Sequence, residues 1–193
     1  MIKNLLAIIS LTFIFSGCFS LSSLNPFSDD EEIVKEVKPT KMPEDAPIWV
    51  KEINEKNSIS IVAFSYIKDA DVKEFDKKRT LLIASNKLSK KIYLKTIEYY
   101  KEYEQKLDNP MTFDQDLKNI AEQISLKAVA KSKIKNSWLS KDNRLFVKLS
   151  VDSDFVATLI QNESKNIYKV NKTLYKNILS NRAKTLLIEY LEK

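Results

Sequence analysis

The chain is 193 residues long, carries 32 Lys plus Arg against 26 Asp plus Glu for a net charge of +6, and contains no histidine and a single cysteine. Absence of His removes the commonest general base and metal ligand, and one Cys allows no internal disulfide, no ordinary zinc site and no Ser–His or Cys–His nucleophile. The length suits one domain with a real core. The mild positive charge favours anionic partners such as lipid A, peptidoglycan or acidic proteins, although a composition rich in Lys, Asn and Ile gives the same balance without any such partner.

In chain order, Lys3 precedes an apolar run from Leu5 to Phe15, and Ser16-Gly17-Cys18 follows. One positive charge, a short apolar core and small residues before a cleavage point define a secretory signal peptide over residues 1–17. The apolar run is shorter than the roughly 20 residues a membrane-spanning helix needs. Ser16-Gly17-Cys18 resembles the bacterial lipobox. That resemblance implies that Cys18 is the lipidation site and the mature N-terminus, and Phe19, which is not the inner-membrane retention residue Asp, implies the outer membrane. A lipid-anchored tether is expected over 18–46: it is Ser-rich, has an acidic block at Asp29-Asp30-Glu31-Glu32, and carries Pro26, Pro39 and Pro43, a composition that opposes both helix and sheet.

The domain is expected over 47–193, with Trp49 as a core anchor at its edge. Ser58 to Tyr66 is a β-branched and aromatic run whose length suits a mostly buried strand. From Val72 to Leu107 apolar residues recur at helical steps (Leu81, Ala84, Leu88, Ile92, Tyr99, Tyr103, Leu107), predicting an amphipathic helix with Thr96 interrupting its stripe. The tyrosines Tyr99, Tyr100 and Tyr103 read as core or interface. Asp69, Asp71, Glu74 and Asp76 cluster at the start of this helix, where the macrodipole favours negative charge. Asp108-Asn109-Pro110 stops the helix, Thr112 to Gln115 reads as a capping box, and Leu117, Ile120, Ala121, Ile124 and Ala128 form the face of a second helix.

A hairpin follows. Its first strand, near Val129–Leu139, is expected to place Lys131, Lys133 and Lys135 on one face and Ile134 and Trp138 on the other. Its second alternates Leu145, Val147, Leu149 and Val151 against Arg144, Phe146, Lys148 and Ser150, giving one buried and one basic face. The Lys131/Lys133/Lys135 comb is either a binding face for a polyanion or simply wet. Asp152 or Ser153 can cap a third helix. Apolar spacing returns from Ile167 to Leu191, where Leu174 and Ile178 are candidates for self-association, the alternative being packing back onto the sheet. The predicted fold class is α+β: a small antiparallel sheet of about three strands packed against two amphipathic helices, with an additional C-terminal helix.

Pro47-Ile48-Trp49-Val50, the first strand, two helices, and Ile134-Lys135-Asn136-Ser137-Trp138 leading into Asp142 to Leu149 resemble the LPP-twenty family of outer-membrane lipoproteins of Helicobacter and Campylobacter type, over roughly residues 47–152. Asn143 stands where that family usually has a turn Gly. The resemblance implies a small α+β domain, no known enzyme activity, no cofactor, and a structural or scaffold role in the cell envelope, flagellar-motor disc components being among its members. A periplasmic adaptor that binds a cell-wall synthase or other envelope machine is the alternative. Protein partners or self-association are expected, a metal site and a nucleic-acid partner are not, and an enzyme would have to work with carboxylates alone.

Overall fold

The computed structural model describes residues 42–68, 72–104, 114–167 and 176–193. The expected signal peptide and lipidation site Cys18, most of the expected tether, the expected capping box at Thr112, and Leu174 lie outside these described residues. Eight elements follow in order: α1 (Ile48–Lys51), β1 (Ser58–Tyr66), α2 (Glu74–Glu104), α3 (Asp114–Ala130), β2 (Lys133–Leu139), β3 (Arg144–Asp152), α4 (Ser153–Ile167) and α5 (Asn181–Glu192). The three strands form one antiparallel sheet in the order β1-β3-β2. This is the small α+β fold that the residue pattern predicts.

Side chains directly opposite each other in an antiparallel pair share a face, so the register assigns both faces of the sheet. Ile59 pairs with Val151, Ile61 with Leu149 and Ala63 with Val147. Ile59, Ile61, Leu149 and Val151 meet Ala84, Leu88 and Ile92 of α2, Ile124 and Ala128 of α3, and Val156 and Ile160 of α4 in the main core. The 31 residues of α2 span about 46 Å at 1.5 Å per residue. Thr96 does not interrupt its stripe. It is fully buried, and its hydroxyl donates 2.8 Å to the Ile92 carbonyl, so the polar group is satisfied within the helix. Ser89 donates to Ser125 across the α2–α3 contact at 3.1 Å. Tyr99 and Tyr100 are both core residues, and the Tyr100 hydroxyl donates 2.7 Å to the Ile160 carbonyl.

The other face departs from the pattern. The alternation predicts a basic face at Arg144, Phe146, Lys148 and Ser150, but all four are buried. The cause lies N-terminal to β1. Ala46 and Val50 pack on Phe146, with Trp49, Val62, Phe64 and Trp138 around them. Next to this cluster the Glu55 carboxylate meets the Lys148 ammonium at 2.6 Å. β3 is thus covered on both faces although its sequence alternates, because Arg144 and Lys148 find their counter-charges there. Ala46 is therefore already part of the domain.

The C-terminal segment also folds back. Ile178 is fully enclosed in the main core together with Leu187 and Leu191 of α5. Gln161 donates to the Ile178 carbonyl at 2.8 Å, and Ser180 caps α5 by accepting from the Ala183 amide. Lys184 reaches Asp154 at 2.6 Å, and Ser153 donates to Glu192 at 2.6 Å. Ile178 is thus not a surface open to a second copy of the chain. The last helix packs mainly on α4, with α2 and β1 beside it, and buries Ala183, Leu187 and Leu191, which decides for packing back onto the domain.

Candidate anion-binding groove

Three of the residues singled out by sequence converge. Lys131 follows the last turn of α3, where its amide still donates to the Ala128 carbonyl. Lys133 opens β2 opposite Ser150. Lys135 occupies the break in register between Ile134, opposite Leu149, and Asn136, opposite Lys148. This extra residue is a β-bulge. It has a second effect: Ile134 shares the inner face with Leu149, whereas Trp138 shares the outer face with Phe146, with ring centroids 5.3 Å apart. Ile134 and Trp138 therefore do not lie on one face as plain alternation predicts. Helix α3 also runs to Ala130, so the strand begins later than expected.

Lys131, Lys133 and Lys135 are exposed and line a groove of about 450 Å³ together with Asn57, Ser58, Ser150, Val151, Asp152 and Phe155. The groove lies at the end of the sheet where β3 passes into α4. Asn57 takes a left-handed backbone (φ 62°), a region an Asn tolerates at modest cost, and its carbonyl accepts from the Ser153 amide. Asp152 is the one carboxylate among the described residues that line the groove. Its Oδ1 accepts from the Phe155 amide at 2.8 Å and caps α4, so part of its charge is met by the positive end of the helix.

A line of hydroxyls runs along the outer face beside the lysines. Ser58 Oγ lies 3.2 Å from Ser60 Oγ, and Ser60 donates to Ser150 Oγ at 3.0 Å. Ser58 also donates to the Glu55 carbonyl at 3.3 Å. Ser150 was foreseen on the lysine-bearing side of β3. Asn57 and Phe155 were not foreseen, because only the tertiary arrangement brings the segment before β1 and the first turn of α4 to the edge strand.

At the opposite end of the outer face, the Arg144 guanidinium lies over Phe64 and Phe146 at 5.4 and 5.5 Å from the ring centroids. Hydrogen bonds from Arg144 first, and then from Ser140, hold the Asp142 carboxyl down at about 2. The charges of this cluster are matched within it, Arg144 by Asp142. On the helical side, burial is the main cause that lowers Lys91 and Lys95 below the ordinary lysine value. Lys91 donates to the Ser60 carbonyl at 3.3 Å, and Lys95 to the Tyr190 carbonyl at 3.0 Å.

Chemically, the groove offers cations and hydroxyl donors with one capped carboxylate, a set suited to holding an anion. Glu74 and Asp76 lie in the first turn of α2, as the macrodipole favours, while Asp69 and Asp71 fall outside the described residues. No helix among the described residues is long and apolar enough to cross a membrane. No protein-family model, curated protein or solved structure matches the chain.

Proposed function

We propose that this chain is a non-enzymatic, lipid-anchored scaffold protein of the bacterial outer membrane, attached through Cys18. The observation that carries the reading is the apolar run Leu5–Phe15 followed directly by Ser16-Gly17-Cys18, which also holds the only Gly and the only Cys of the chain. The spacer then holds the domain off the membrane, and the domain binds protein partners. Disc components of the flagellar motor, as in the LPP-twenty resemblance, are one setting for such a scaffold. The test is growth with an alkyne analogue of palmitate, followed by membrane fractionation. The reading predicts a labelled protein in the outer-membrane fraction and loss of both label and membrane association in Cys18→Ala. An unlabelled protein that fractionates identically with and without Cys18 contradicts it.

The spacer's length favours a second reading, a periplasmic adaptor that reaches a cell-wall synthase or another inner-membrane machine. Residues 19–45, which end where Ala46 enters the domain, number 27, and they extend to about 92 Å at most at 3.4 Å per residue. An adaptor predicts a monomer with one specific partner, and loss of that partner when the spacer is halved.

A further inference from the structure

We infer that the groove between β2 and the start of α4 is a binding site for a phosphate group, held by Lys131, Lys133 and Lys135 and by the hydroxyl of Ser150. Four observations meet there. The first is concavity: the three lysines line one groove instead of being dispersed over a convex surface. The second is the disposition of the charges. Lys148 is matched by Glu55, Arg144 by Asp142, Lys127 by Glu163 and Lys184 by Asp154, whereas Lys131, Lys133 and Lys135 form no ion pair among the described residues.

The third observation is the serine line. Ser150 is only 3% exposed and accepts from Ser60, and its own proton has no acceptor among the described residues. A buried hydroxyl that receives one hydrogen bond is polarised to donate the next. An anionic oxygen is the acceptor that makes this strongest, since hydrogen bonds to charged groups outweigh neutral ones. The fourth is the positive end of α4, which opens at the groove wall with Asp152 as its cap. Asp152 opposes an anion. Three ammonium groups, the helix end and a hydroxyl donor outweigh one carboxylate already engaged in a cap.

Phosphate suits this set because it has several oxygens to share between separated ammonium groups and a hydroxyl, which a halide lacks. Two sources supply it: a phospholipid headgroup of the membrane that holds the lipid anchor, and soluble phosphate compounds. The site itself stands on the groove and does not depend on the scaffold reading; only the lipid source rests on membrane attachment.

The experiment uses the full chain in neutral detergent, with backbone amide resonances followed as inorganic phosphate is added at constant ionic strength held with sodium chloride. The expected result is a saturable shift at Lys133, Lys135, Ser150 and Asp152. The triple variant K131Q/K133Q/K135Q weakens it at least tenfold. Ser150→Ala weakens it at least fivefold while amide resonances away from the groove stay at their wild-type positions, whereas a diffuse basic patch would not respond to a lost hydroxyl. A shift that does not saturate overturns the site, as does equal affinity in the triple-lysine variant or in Ser150→Ala. A second arm repeats the measurement with phosphatidylglycerol and with phosphatidylcholine nanodiscs. Broadening of the groove resonances by the first in wild type and not in the triple variant assigns the lipid source. Binding of free phosphate without that broadening assigns the soluble one.

Discussion

Glu55→Gln is the sharpest test of how the outer face is closed. It removes the charge opposite Lys148 while keeping an amide of similar shape. The Lys148 side chain is 1% exposed and that of Glu55 44%, with 2.6 Å between their charged atoms. Breaking a fully buried pair costs about 3–5 kcal/mol, and breaking an exposed one about 0–1 kcal/mol. With one partner enclosed and the other half in water, the cost falls between these limits, at about 2 kcal/mol. For a chain of this size that lowers the thermal midpoint by roughly 4–8 °C. The assay is urea unfolding followed by circular dichroism, run on Glu55→Gln, Lys148→Met and the double variant. Lys148→Met should recover most of the loss when combined with Glu55→Gln, because no unmatched buried charge then remains. A Glu55→Gln chain within about 0.5 kcal/mol of wild type would refute the reasoning, since it would mean that water reaches Lys148 freely.

Three other outcomes follow from the packing and the charges. Ile178→Ala should destabilise the chain by about 2–5 kcal/mol, as expected for an enclosed core aliphatic, and should leave its sedimentation coefficient unchanged; an altered oligomer with unaltered stability would return this position to the surface. Asn143→Ala should cost about 1–2 kcal/mol in urea unfolding, because the position holds φ 61° and a Cβ without a local hydrogen-bonding side chain is penalised there. The Tyr190 phenol, half-buried and hydrogen-bonded to Glu98 at 2.6 Å, is raised above its ordinary value of 10, by burial first and by Glu98 second. A raised pKa means that its contribution to stability is complete below pH 10 and is lost as pH climbs from there. Tyr190→Phe should therefore show a shallower alkaline decline in stability than wild type, and equal slopes would contradict the assignment.

The parts of the fold legible in sequence were those in which one face is buried and one is wet. Helix α3 reads directly from Leu117, Ala121, Ile124 and Ala128. Helix α2 reads from Ala84, Leu88 and Ile92, whereas β1, buried on both faces, emerges with the expected ends because its unbroken β-branched and aromatic run marks it. The outer face of β3 was not legible, because Lys148 and Arg144 signal water unless Glu55 and Asp142, far away or across a turn, are known to meet them. The bulge at Lys135 was not legible either, since period-two alternation carries no mark of an inserted residue. The groove was half visible. Its lysines stand together in the chain, but Asn57 and Phe155 arrive from segments nearly a hundred residues apart. Asn143 shows the reverse case: a residue standing where a glycine would be expected adopts the left-handed backbone a glycine would supply.

The measurement that tests the central claim most directly is cross-linking in living cells of a C-terminally tagged chain, with mass spectrometry of what is captured and Cys18→Ala as the control. A lipid-anchored scaffold predicts a ladder of the protein with itself or with envelope-machine components, lost when the anchor is removed. Capture of a single inner-membrane synthase with no self-ladder would contradict the scaffold and leave the adaptor in its place.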